Sequence, residues 1–134
     1  MIFKKFIHHL LSISMILFFL IFFITLTACS PHSGAGNWKA EGSNSINISR
    51  INVSYEGTAD FYSDGKEDSI RRCFWSAVAE HTLQMQCVHA DDIEQKASYQ
   101  FVTTEKGHAE LFLDDQLIGR FTAQAPAPEA EQKK

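Results

Sequence analysis

The feature that most limits how this chain can fold is an apolar run from Leu10 to Ala28, interrupted only by Ser12, Ser14, Thr25 and Thr27. Residues 1–28 hold six of the eleven Phe and no carboxylate, and they leave 106 residues for a part exposed to water. That is enough for one small domain and not two. Only Phe61, Phe74, Phe101, Phe112 and Phe121 remain to build its core. This remainder carries all 16 carboxylates against 10 Lys/Arg. An acidic domain without a basic stripe is a poor nucleic-acid binder. A multidomain enzyme, a collagen-like repeat and a polytopic membrane protein are excluded on length and pattern.

Lys4 and Lys5 precede the apolar run with no acid between them. A basic head stays with anionic lipid while the apolar run enters the bilayer, which is how an export signal reads. Length alone would also suit a permanent span. The end of the run separates the two. Leu26-Thr27-Ala28-Cys29 resembles the lipobox of bacterial lipoproteins. The resemblance implies that residues 1–28 are a signal peptide and that the Cys29 thiol receives a diacylglycerol. It further implies cleavage just before Cys29 and fatty acylation of the new amine. Several acyl chains, at about 0.8 kcal/mol per buried methylene, make a lasting anchor. Ser30 follows the cysteine where lipoproteins kept in the inner membrane often carry Asp, so the outer membrane is the expected location, and Cys29→Ala is expected to leave an unprocessed precursor.

Residues 29–36 read as the lipidated cysteine and a flexible tether, 37–123 as a β domain and 124–134 as a disordered tail rich in Ala, Pro and Glu. Within the domain the hydrophobic period is two, not 3.6. Ile46 and Ile48 alternate with polar residues, and Ile51, Val53 and Tyr55 continue on the opposite parity. A bulge near Ser49-Arg50 would restore a common face. Ala59 and Phe61 follow, closed by the turn signal Ser63-Asp64-Gly65-Lys66. Strands are expected over 70–78, 83–89, 98–104, 109–113 and 117–123. Tight turns are expected at Glu105-Lys106-Gly107 and Asp114-Asp115-Gln116, and a helical turn at most over 91–96. The fold class is therefore all-β, a meander of seven or eight antiparallel strands closed as a barrel or folded as a sandwich.

With Cys29 lipidated, Cys73 and Cys87 remain, an even number in an oxidising compartment. A hairpin turning about Glu80 would pair residues whose numbers sum to about 160, which sets the two cysteines opposite each other. They are expected to form a disulfide rather than remain two free thiols, and no C-x-x-C marks a redox pair.

Gly36-Asn37-Trp38 opens the first expected strand and Arg120 lies in the last. This is similar to the lipocalin-like pattern, and the resemblance implies a closed barrel whose floor Trp38 is covered by Arg120. The bare reading of the residues is a core Trp at a strand start with a surface Arg. His32, His81, His89 and His108 are too dispersed for a zinc shell, so no metal or other cofactor is expected. Asp64-Gly65-Lys66-Glu67-Asp68 lacks the ligand alternation of a calcium loop. Asn47-Ile48-Ser49 and Asn52-Val53-Ser54 match the glycosylation sequon and read as plain strand residues in a bacterial protein. With no G-x-S-x-G elbow and no identifiable base, catalysis is not expected. Two functions remain. One is an accessory module docking another envelope protein through acidic loops and an exposed Trp75 or Tyr62, with Trp75 outward if Phe74 faces the core. The other is a lipocalin-like carrier of a small apolar ligand.

Overall fold

The computed structural model describes residues 1–24, 31–105 and 107–125. Two compact units make up the chain, Met1–Ser30 and Pro31–Lys134. The first contains helix α1 (Ile2–Ile24). Among the described residues no helix is long and apolar enough to cross a membrane, and the apolar run of the sequence continues past them to Ala28. The lipobox, Cys29 included, lies outside the described residues, as does the tail from Pro126 onward.

The second unit is a closed barrel of eight strands, each paired with its sequence neighbour and β1 closing on β8. The strands are β1 (Gly36–Ala40), β2 (Arg50–Val53), β3 (Thr58–Tyr62), β4 (Arg71–Ala79), β5 (Thr82–His89), β6 (Lys96–Thr103), β7 (His108–Leu113) and β8 (Gln116–Ala123). Every pairing is antiparallel. Of the two expected architectures, the closed barrel is the one formed, and it is the architecture that the lipocalin-like resemblance implies.

Alternation dictates the core. Leu83, Met85 and Cys87 on β5 are buried, while Gln84 and Gln86 between them are not. Across the barrel, Trp38, Ile51, Phe61, Tyr99, Phe101, Leu111 and Phe121 fill the interior. Trp38 meets Phe101 edge-on at 5.2 Å between ring centres, and Phe61 lies 5.5 Å from Tyr99. Rings at these separations pack as solid core. Phe74, counted from composition as a core residue, is instead 74% exposed.

Residues 41–49 form a loop rather than the expected strand and bulge. The Asn44 side chain accepts the Ile48 N–H at Oδ1 and donates from Nδ2 to the Ile48 carbonyl, while Asn47 takes a left-handed φ of 53°. Side-chain bonding of this kind offers the backbone an alternative to a sheet ladder. Ile48 is still buried, because the loop drops it onto the barrel's end. The irregularities in the ladders fall elsewhere, between Ala77 and Ala79 on β4 and between Leu111 and Phe112 on β7. The segment expected to form at most a helical turn makes one hydrogen-bonded turn, the Gln95 N–H donating to the Asp92 carbonyl at 3.1 Å, and β6 begins within it at Lys96.

The expected hairpin register is found. Arg71 faces His89, Trp75 faces Met85 and Cys73 faces Cys87. The cysteines are joined as a disulfide with a Cα separation of 4.0 Å.

Candidate interaction surfaces

Consecutive antiparallel strands send alternate loops to opposite ends of a barrel. The β2–β3, β4–β5 and β6–β7 turns share one end with the start of β1. The β1–β2, β3–β4, β5–β6 and β7–β8 loops share the other.

At the first end the chain before β1 is fixed to the barrel. Residues 31–35, read from sequence as part of a tether, lie across the mouth. Small residues make this possible: Gly34 is buried, and a Cβ there would stand 2.7 Å from Leu83 Cδ1. Its carbonyl accepts the buried Trp38 indole N–H at 2.9 Å. His32 Nε2 donates to the Ala79 carbonyl at 2.9 Å, and Nδ1 accepts the Gly34 N–H at 3.0 Å. Those two bonds together require the neutral Nε2–H tautomer. Ser33 Oγ lies 2.8 Å from Thr103 Oγ1, and both hydroxyls approach His81 Nδ1.

Trp38 is therefore a core residue, but Arg120 does not cover it. Arg120 points outward and pairs with Glu110 on the neighbouring strand at 3.1 Å. Trp38 instead meets the Gly34 carbonyl and the Phe101 ring. A different stack is present on the outer wall, where the Arg50 guanidinium sits 4.2 Å over the half-buried Tyr62 ring.

The faces of β4 are the reverse of those an outward Trp75 requires. Cys73 and Cys87 are buried, Trp75 is half-buried and donates its indole N–H to the Ser54 carbonyl at 2.9 Å, and Phe74 stands outward. The signal was present in β5. Its Leu83, Met85 and Cys87 mark the inward parity, and the hairpin register carries that parity to Cys73 and Trp75.

The second end is acidic. Asp64, Glu67 and Asp68 come from the β3–β4 loop, Asp91, Asp92 and Glu94 from the β5–β6 loop, and Asp114 and Asp115 from the β7–β8 turn; all are exposed, with Lys66 among them. Asp114 and Asp115 both take positive φ, 49° and 62°, as a two-residue hairpin turn demands. Ile93, 69% exposed, lies in the middle of the acidic β5–β6 loop. Among the described residues, no three His, Cys, Asp or Glu side chains are grouped to hold a metal. A hollow of about 620 Å³ also opens at this end, with Lys39, Glu41, Asn44, Ile48 and Asp64 in its walls.

Above β1, Glu41 Oε1 accepts hydrogen bonds from His108 Nδ1 at 2.9 Å and Thr122 Oγ1 at 2.8 Å. The His108 bond, followed by that of Thr122, holds the Glu41 carboxyl below its usual range. Burial raises the Tyr99 phenol above its usual range.

No protein-family model, curated protein or solved structure matches the chain. The class of protein is thus defined by the fold alone: a small closed antiparallel β-barrel with a hairpin disulfide.

Proposed function

We propose that the chain is a lipid-anchored envelope protein, processed and acylated at Cys29, that serves as a non-catalytic accessory module for another envelope protein. The observation that carries this reading is the acid-rich end of the barrel. Three connections bring exposed carboxylates to one end around the solvent-facing Ile93. An exposed apolar side chain at an end where carboxylates outnumber cations suits contact with a basic partner. Acidic loops, one of the contacts expected from sequence, take the role; Trp75 does not, because it packs inward.

The alternative, a carrier of a small apolar ligand, draws on the closed barrel. Against it, the interior positions are filled by Trp38, Phe61, Tyr99, Phe101 and Phe121, and a ligand there would have to displace core side chains.

A photocrosslinking residue at Ile93 tests the proposal in intact cells. Ile93 is expected to capture a discrete envelope protein, and reversing Asp91, Asp92 and Glu94 to Lys is expected to abolish the adduct. The same probe at Asn37, exposed on the β1 wall, is expected to give none. Equal capture from both positions, or capture that survives the charge reversal, refutes docking through this end.

A further inference from the structure

We infer that the opposite end of the barrel lies against the lipid surface, with Tyr55, Phe74 and Val78 meeting the interface. This rests on the proposed acylation of Cys29. Two independent observations converge on that end.

The first is where the anchor must emerge. His32 is bonded to the Ala79 carbonyl at the tip of the β4–β5 hairpin, next to Val78. Only Pro31 and Ser30 stand between His32 and Cys29. At about 3.5 Å per extended residue, chain length keeps Cys29 within roughly 10 Å of the His32 backbone. The segment cannot lengthen without losing the Trp38–Gly34 and Ser33–Thr103 bonds. The barrel is therefore seated on its anchor by a short strap, with this end turned to the bilayer.

The second is what the end exposes. Tyr55, Phe74 and Val78 are 71%, 74% and 58% exposed. Tyr55 sits in the β2–β3 turn, Phe74 pairs with the first residue of β3, and Val78 lies at the hairpin irregularity. Apolar and aromatic side chains exposed in a turn (Tyr55) and on the outer face of β4 (Phe74, Val78) beside an acyl anchor fit the boundary between headgroups and acyl chains. Glu56, Glu80 and Glu105 lie in the three turns at this end, so the surface that fits is a zwitterionic one. In this arrangement the acid-rich end projects away from the membrane, where a partner can reach it.

The test uses the full-length chain, expressed so that the signal is processed, then placed in phosphatidylcholine vesicles with brominated acyl chains. Val78→Trp and Ile93→Trp report the two ends, each read against the emission of Trp38 and Trp75 in the parent protein. The added emission of Val78→Trp is expected to be lost on brominated vesicles, and that of Ile93→Trp to be retained. Protein that floats with the vesicles while both reporters are quenched alike, or neither is, overturns the orientation and leaves the anchor standing. Protein that does not float and carries no acyl mass overturns the anchor, and the orientation with it.

Discussion

The Trp38 indole N–H and the Gly34 carbonyl, four residues apart, form a buried 2.9 Å hydrogen bond that folds the chain back over the mouth of the barrel. The bond makes the segment before β1 part of the core, since it satisfies the one polar atom of a side chain that is 3% exposed. An indole N–H left unpaired at such a site costs about 1–3 kcal/mol.

Gly34 is the position where that seat is most sensitive. A Cβ there meets Leu83 Cδ1 at 2.7 Å, and Leu83 is fully buried. Gly34→Val is therefore expected to lower stability by about 1–3 kcal/mol, the usual cost of overpacking. Gly42, with open space around it and no positive φ, is the matched control. Gly42→Ala is expected to stay within about 0.5 kcal/mol of the parent. Urea midpoints of the two variants check the contrast, and equal midpoints would remove the segment from the core.

The Cys73–Cys87 bridge closes a loop with a sequence separation of 14. By the chain-entropy estimate, closing a loop of this size contributes about 3 kcal/mol by restricting the unfolded chain. In a domain this small that is a large part of net stability. Reduction is expected to lower the denaturation midpoint by a corresponding amount without changing the slope greatly. Equilibrium unfolding with and without reductant measures it. An unchanged midpoint would place the bridge outside the stabilising interactions.

The β4–β5 register was legible because a hairpin is local: once the turn is placed at Glu80, the facing pairs from Arg71–His89 to Ala77–Leu83 follow from one sum, and only Ala79–Thr82, beyond the irregularity, departs from it. The inward face of β4 was harder, since Cys73, Phe74 and Trp75 are all apolar and alternation among them carries no sign. It was recoverable from β5, whose Gln84 and Gln86 mark the outward parity. Ile46 and Ile48 misled for the opposite reason. They alternate like a strand, yet the cluster Gly42-Ser43-Asn44-Ser45 before them signals a turn, and the Asn44 side chain holds residues 44–48 in a loop. The contact between Gly34 and Leu83 joins positions far apart in sequence, and nothing local to His32-Ser33-Gly34 announces it. The Glu110–Arg120 pair likewise depends on cross-strand register, which motif matching to Trp38 could not supply. The acid-rich end was visible as separate turns, but its convergence follows only from the parity of the strands.

Phe74 and Trp75 provide a direct reading of the two faces of β4. Phe74 is 74% exposed, so Phe74→Ser is expected to change stability by no more than about 0.5 kcal/mol. Trp75 packs against the core and bonds Ser54, so Trp75→Ala is expected to cost about 2–4 kcal/mol. Thermal melts of the two variants give the comparison. The reverse order of effects would mean that the disulfide and Trp75 face solvent.

Glu41 ties the end of β1 to β7 and β8 through His108 and Thr122. Its carboxyl is held below the ordinary range in the folded protein, first by the His108 hydrogen bond and then by that of Thr122. The folded state therefore binds the Glu41 proton less tightly than the unfolded chain does. The resulting contribution to stability is fully present above the unfolded carboxylate range, near pH 4–5. It is lost as the pH falls through the depressed folded value. Glu41→Gln is thus expected to flatten part of the acid limb of a stability–pH profile, with the variant approaching the parent as the pH drops. The group is exposed, so the difference at neutral pH is small and falls further with added salt. Denaturant midpoints for parent and variant across the acid range, at low and high salt, make the measurement. A constant gap across that range would assign the effect of the substitution to packing rather than to the charge that His108 and Thr122 hold in place.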